Sequence, residues 1–265
     1  MPNTDPTPML RRALARIARV PRLLVGLDFD GTLAPFQVDL TRSRAMPTAM
    51  ASVRELVSLP GTTVAFVSGR SLESLTEVSG SPEGVVLVGS HGLERRMGDG
   101  TDSPAALTTT QREALGTLHA RVEAISAEGP GSLVERKPTS VSLHTRGVKD
   151  PVLARDLEAR ARSAAADLPG VHVMDGKRIV ELAVLLGDKG RALAQLFDRV
   201  GADAAFYAGD DATDERAFAA LGPTDVGVHV GDGPTAAGFS VAGIDRVPIV
   251  LAELARERAT WARPA

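Results

Sequence analysis

The chain has 265 residues, 43% hydrophobic and 24% charged; at about 150 residues per domain this allows between one and two domains, and it excludes collagen-like, disordered and coiled-coil readings. Acidic residues outnumber basic ones by 33 to 30, so the net charge of −3 supplies no global basic field for nucleic acid or an anionic membrane. The absence of cysteine removes disulfides, thiolate nucleophiles, iron–sulfur clusters and cysteine-based zinc sites, leaving chemistry to carboxylates, Lys, His and hydroxyls.

Residues 10–20 place Leu10, Ala13, Leu14, Ile17 and Ala18 on one helical face and Arg11, Arg12, Arg16 and Arg19 elsewhere, the pattern of a packed helix with a solvated basic face. Three short apolar runs, 23–27, 63–67 and 85–88, are too brief for helices and read as buried parallel strands. A helix opening at Pro47, with Met50, Val53, Leu56 and Val57 inward and a stop at Pro60-Gly61, separates the first two. Ser71 caps another, with Leu72, Leu75 and Val78 inward. This alternation predicts an α/β core built on a Rossmann-like, doubly wound parallel sheet.

The middle of the chain differs. A helix over 109–127, with Leu115, Leu118, Val122 and Ile125 inward, ends at Gly129-Pro130-Gly131. Strands follow at 132–135 and 140–144, then a helix at 152–168 and strands at 171–174 and 178–182. Antiparallel strands with helices on one face predict a separate α+β unit over 104–185, inserted into a core of 1–103 and 186–265. The core pattern then resumes with a helix at 191–200 closed by Gly201, a strand at 204–208, a helix at 213–221, a strand at 226–230 and a last helix at 248–261.

Chemistry concentrates where strands end. The first strand runs into Asp28-Phe29-Asp30-Gly31-Thr32, and carboxylates buried at a strand end need a cation or hydrogen bonds to offset desolvation. Alternation sends Asp28 and Asp30 to the same side, where one metal ion could serve both. A calcium loop is excluded: the sixth position from Asp28 is Leu33 instead of Gly, and the twelfth is Asp39 instead of Glu. Ser68-Gly69-Arg70 closes the second strand with a hydroxyl and backbone N–H groups that suit an anion. Gly187-Asp188-Lys189-Gly190 opens a helix with an ammonium, although taken singly that lysine reads as surface decoration. In Gly209-Asp210-Asp211-Ala212-Thr213-Asp214-Glu215, helix capping explains Asp214 and Glu215 about as well as a functional role does, whereas the adjacent Asp210 and Asp211, before the cap, suit a hard cation.

Taken in order, these four segments resemble the motifs of the haloacid-dehalogenase superfamily of phosphohydrolases. Gly89-Ser90-His91-Gly92-Leu93-Glu94, Glu135-Arg136-Lys137, His144-Thr145-Arg146 and Gly176-Lys177 followed by Glu181 are similar to the trehalose-6-phosphate phosphatases, over about residues 22–245. Two positions depart from that pattern: Leu182-Ala183-Val184 follows Glu181 where many relatives carry Arg-Pro, and Thr145 stands where an aromatic is common.

The resemblance implies a nucleophilic Asp28, with Asp30 as acid and then base. It implies Mg²⁺ bound by the Asp28 side chain, the Asp30 backbone carbonyl and Asp210, with Asp211 or Asp214 helping through water, and a phosphate cradle completed by Ser68 and Lys189. Gly31, Thr32, Gly69, Arg70 and His91 would meet substrate on the core, while the inserted unit would act as a cap presenting Glu135, Lys137, His144, Lys177 and Glu181 to sugar hydroxyls. A phosphosugar mutase, a phosphatase for another disaccharide or pseudo-disaccharide phosphate, and a catalytically silent sensor are the alternatives. No apolar run reaches the roughly 18 residues that span a bilayer, and the polar start at 1–8 is not a secretory signal. A cytoplasmic monomer meeting a small-molecule sugar phosphate is expected, without nucleic-acid or membrane partners.

Overall fold

The computed structural model describes residues 6–37, 40–103 and 107–262. The first five residues, Asp39 of the calcium-loop count and the first residues of the expected insertion lie outside the described residues. The chain divides into two compact units, Met1–Ser103 with Gly187–Ala265, and Pro104–Leu186. The second unit ends one residue beyond the expected position.

The first unit contains, in chain order, α1 (Pro8–Ile17), β1 (Leu23–Leu27), α2 (Pro47–Ser58), β2 (Thr62–Val67), α3 (Leu72–Ser79), β3 (Val86–Gly89), β4 (Glu94–Arg96) and β5 (Asp102–Ser103). The second unit contains α4 (Thr109–Ala127), β6 (Leu133–Arg136), β7 (Ser140–His144), α5 (Pro151–Ser163), β8 (His172–Gly176) and β9 (Ile179–Ala183). The first unit then resumes with α6 (Lys189–Val200), β10 (Ala204–Gly209), α7 (Asp214–Ala220), β11 (Val226–Val230), β12 (Phe239–Val241) and α8 (Val247–Ala262).

Its sheet has the order β12-β11-β10-β1-β2-β3-β4-β5. Pairing is parallel from β12 to β3 and antiparallel at β3–β4 and β4–β5. The doubly wound α/β expectation is therefore met, with two short antiparallel strands added at one edge. Both faces are covered, which is why β1 and β10 are buried at every residue. Leu14, Val53 and Leu254 pack on one face with Val25 and Phe206, while Leu193, Leu196 and Phe218 pack on the other with Leu24 and Tyr207. Strand order reverses between β1 and β10, and open α/β sheets bind ligands at such a switch point.

In the second unit the sheet order is β6-β7-β9-β8, antiparallel throughout. Val141, Leu143, Val180 and Leu182 face α4 and α5 residues such as Leu118, Val122 and Leu157. Alternation sends Glu135, Ser142, His144 and Glu181 to the opposite face.

Candidate active site

The carboxyl ends of β1 and β10 build the site. Leu27 lies beside Ala208 in parallel register, and the Asp28 N–H donates to the Ala208 carbonyl at 2.9 Å. The ladder thus runs one residue past β1 and delivers Asp28 to the end of β10. Its carboxylate, 4% exposed, accepts from Lys189 Nζ at 2.7 Å. Asp188 caps α6 by accepting from the Arg191 N–H at 3.0 Å, which fixes Lys189 as the first helical residue. Lys189 is 1% exposed, so its reading as surface decoration is overturned by an ion pair that sequence proximity does not announce.

Asp214 is 0% exposed. One oxygen accepts from Lys189 Nζ at 2.8 Å and Tyr207 OH at 2.7 Å, the other from the Asp210 and Asp211 N–H groups at 2.9 and 3.0 Å. Helix capping therefore does not explain this residue: it is the anchor around which the acidic loop folds. Tyr207, the sole tyrosine, belongs to the site although nothing but its placement on β10 marked it.

Asp28, Asp210 and Asp214 each present an oxygen within 4.8 Å of the others. Burial pushes the Asp28 carboxyl well above the usual carboxylate range against the pull of Lys189, with Asp214 and Asp210 adding repulsion. Burial lifts Asp210 to about 6 and raises Asp214. Burial also opposes ionisation of Asp211, but Lys189 and the bond from Thr213 outweigh it and hold Asp211 down at about 2. Burial works against the Lys189 ammonium too, and Asp28, Asp214 and Asp211 more than compensate, raising its pKa above the ordinary lysine value. Four carboxylates around one ammonium leave negative charge in surplus on hard oxygen donors, and a divalent cation fits that surplus.

The loop after β1 is shaped by the same cluster. Gly31 has φ +88°, and a Cβ there would fall 2.2 Å from Asp210 Oδ2, so only glycine fits. Thr32 Oγ1 reaches Asp210 Oδ1 at 3.4 Å. Asp30 departs from expectation. Because β1 ends at Leu27, strand alternation does not extend to Asp30, and its carboxylate turns to Arg70 and to Ser43 Oγ, the latter at 2.9 Å. It is absent from the acidic triangle, as is the side chain of Asp211, which accepts from Thr213 and the Asp214 N–H.

Ser68 is buried, and its hydroxyl accepts from the Arg70 N–H at 3.2 Å. The next loop locks onto it: the His91 N–H donates to the Ser68 carbonyl at 2.9 Å and the Ser90 N–H to the Arg70 carbonyl at 2.6 Å. A Cβ on Gly69 would lie 2.5 Å from His91 Cε1, so glycine lets the imidazole pack on that turn. Ser90 and His91 hold φ of +48° and +54°, a strained conformation kept in place by Glu94, which accepts from Ser90 Oγ at 2.5 Å and the Leu72 N–H at 3.2 Å. Ser43 and Glu94 thus join the site as support, and only Glu94 lay in a recognised segment.

In the second unit, Lys137 Nζ lies 3.1 and 3.2 Å from the two Glu181 oxygens, and Ser140 Oγ donates to Glu181 at 2.6 Å. Glu135 and His144 meet at 3.0 Å and line an open concavity of about 430 Å³ with Leu133 and Arg146. Lys177 is exposed and stands apart, its carbonyl accepting from Arg146 Nε at 3.4 Å. The departures from the family pattern serve packing: Thr145 is buried and its hydroxyl bonds Glu158, while Leu182 and Val184 fill the core.

The switch-point fold with acidic residues at the ends of β1 and β10 is that of the haloacid-dehalogenase superfamily. The profile of the trehalose-phosphatase family matches residues 26–242, and the chain belongs to that family. It is 34% identical over 257 residues to a trehalose-phosphate phosphatase of Mycobacterium marinum, across 91% of this chain and 63% of that protein; the chain spans about 63% of the length of the curated relatives it matches. A solved trehalose-6-phosphate phosphatase related protein superposes with a TM-score of 0.70 at 27% identity, covering 89% of this chain and 99% of that one. The C-terminal domain of the C. albicans trehalose-6-phosphate phosphatase gives 0.73 over 95% and 99% of the two chains, and at 22% identity it speaks for the fold alone. Among the described residues, no helix is long and apolar enough to cross a membrane.

Proposed function

We propose that the chain is a Mg²⁺-dependent phosphatase that hydrolyses trehalose 6-phosphate to trehalose and inorganic phosphate through an aspartyl phosphate on Asp28. The observation that carries this reading is the buried Asp28 carboxylate at the end of β1, 2.7 Å from Lys189 Nζ and within the acidic triangle, in a chain of the trehalose-phosphatase family.

Asp28, Asp210 and the Asp30 carbonyl would hold the cation, with Asp211 and Asp214 beside them; when bound, it supplies positive charge that offsets the charge of the transferring phosphoryl group. Lys189 donates to the Asp28 carboxylate and works against the burial that raises its pKa, and the cation's charge would add to that pull. An Asp28 oxygen bonds to phosphorus as the bond from phosphorus to the sugar oxygen breaks, and that oxygen takes its proton from Asp30. Asp30, now a carboxylate, takes a proton from water as the water oxygen attacks phosphorus, and the phosphorus–Asp28 bond breaks to return the carboxylate. Ser68, Gly69, Gly31 and Thr32 belong to the phosphate side, with His91 near the leaving group. Glu135, Lys137, His144, Lys177 and Glu181 are proposed to read the disaccharide. The setting is a cytoplasmic monomer.

The test is phosphate release across trehalose 6-phosphate, sucrose phosphate and glucose 6-phosphate, with and without EDTA. A preference for trehalose 6-phosphate that vanishes on chelation, and in Asp28→Asn, is expected. Relocation of phosphate without release, or a dominant preference for another sugar phosphate, overturns the assignment.

A further inference from the structure

The Arg70 guanidinium has its charge committed inside the first unit. Nε donates to Asp30 Oδ2 at 2.5 Å and Nη2 to Asp30 Oδ1 at 2.7 Å, so the planar fork meets both carboxylate oxygens. Nη1 reaches Ser74 Oγ at 3.2 Å, and Cζ lies 5.7 Å from the Phe29 ring centroid. Ser43 Oγ closes the arrangement by donating to the same Asp30 oxygen at 2.9 Å. The backbone is pinned as well, its N–H on Ser68 Oγ and its carbonyl on the Ser90 N–H. An arginine that grips a phosphate presents its fork to the ligand. This fork is filled by Asp30.

We propose that Arg70 is a positioning residue for Asp30 and not a ligand of the transferred phosphate. With Ser43, it fixes the Asp30 carboxylate outside the Asp28–Asp210–Asp214 triangle, where it stays out of the cation's coordination and keeps one rotamer for both proton transfers. The inference rests on the phosphatase reading, in which Asp30 protonates the sugar oxygen and then deprotonates water. It assigns the buried Arg70 to proton-transfer geometry, leaving Ser68, Lys189 and the cation to hold the phosphate.

The experiment compares wild type, Arg70→Gln, Asp30→Asn and the double variant on trehalose 6-phosphate and on p-nitrophenyl phosphate, whose leaving group departs without protonation. Arg70→Gln is expected to lower kcat on the sugar phosphate by about 10²-fold, the low end of a general acid–base contribution. KM and competitive inhibition by inorganic phosphate should move less than about threefold, because ground-state binding is untouched. On p-nitrophenyl phosphate the same variant should release a burst of about one nitrophenolate per site and then slow down, since the second proton transfer is impaired. The double variant should be no slower than Asp30→Asn, as expected of residues acting as a unit. Phosphate inhibition weakened about tenfold with kcat retained, or a loss that multiplies in the double variant, overturns the proposal.

If melting shows that Arg70→Gln does not fold, Ser43→Ala supplies the same readouts with a loss of about tenfold, the scale of a supporting hydrogen bond; a Ser43→Ala protein with neither burst nor slower kcat also overturns it. A wild type that releases phosphate from no sugar phosphate in Mg²⁺ sinks the phosphatase reading itself. A wild type that turns over while the variants fail these criteria sinks the role of Arg70 alone.

Discussion

Lys189 Nζ sits 2.7 Å from Asp28 Oδ1 across 161 residues of chain, with both side chains sealed from solvent. The pair joins the first turn of α6 to the end of β1, and Asp214 at 2.8 Å shares the ammonium. Removing one partner of a buried ion pair strands the other charge, at a cost of about 3–5 kcal/mol. Lys189→Ala should therefore lower the unfolding free energy by that amount in EDTA, read as a lower urea midpoint. Mg²⁺ should restore part of it, because a cation can neutralise the stranded carboxylates. An unchanged midpoint would mean that the ammonium does not hold the acids together.

The pH dependence of the metal-free protein follows from the same acids. Burial lifts Asp210 from 3.8 to about 6 and raises Asp28 and Asp214. Between pH 3.8 and about 6 the native state then binds more protons than the unfolded chain, so stability falls as pH rises through that window. Asp211 and Asp167, held at about 2, act oppositely, their contribution being lost as pH drops from 3.8 toward 2. Melting in EDTA should therefore peak near pH 4, fall through pH 5 to 6 and be lower at 7.5, and Mg²⁺ should raise it at 7.5 and do little near pH 4. A melting temperature that climbs steadily from pH 5 to 7.5 in EDTA contradicts this.

Arg258 of α8 is 0% exposed and, among the described residues, pairs with no carboxylate. Its guanidinium donates to the carbonyls of Ala18, Val20, Pro21, Pro60 and Gly61 and to Thr62 Oγ1, and it stacks 4.6 Å from the Trp261 ring centroid. It ties the end of the chain to the segments that enter β1 and β2, at the end of the sheet opposite Asp28. Hydrogen bonds to a charged group contribute about 1.5–3 kcal/mol each before losses overlap. Arg258→Met, which keeps the stem but orphans the carbonyls, should cost at least about 3 kcal/mol by urea unfolding. Turnover measured below the melting temperature should stay intact.

What was legible in the sequence divides along physical lines. Buried strands with aliphatic runs, such as β1 and β11, and helices with strong periodicity, such as α1, were readable because their patterns are local. β4, β5 and β12 were missed because strands of two or three residues carry no period. The acidic residues were visible, but their directions were not. Asp30 leaves the triangle because the strand stops at Leu27, and Asp214 turns inward to a lysine 25 residues away. Ser43 and Arg258 carried no signal, since each acts through partners distant in sequence.

The second unit offers a separate test of recognition. Glu181 accepts from Lys137 Nζ and Ser140 Oγ, and Glu135 meets His144, on the sheet face turned away from α4 and α5. These pairs leave the unit's own core untouched, so replacing either glutamate should change recognition more than folding. Glu181→Ala frees Lys137 and removes a carboxylate suited to sugar hydroxyls, and each lost charged hydrogen bond is worth about 1.5–3 kcal/mol, or about 10- to 100-fold in kcat/KM. That loss should appear with trehalose 6-phosphate and be several-fold smaller with p-nitrophenyl phosphate, which has no sugar to read. Glu135→Ala should follow the same pattern. Equal losses on both substrates would assign the two glutamates to the architecture of the second unit and not to recognition of a sugar.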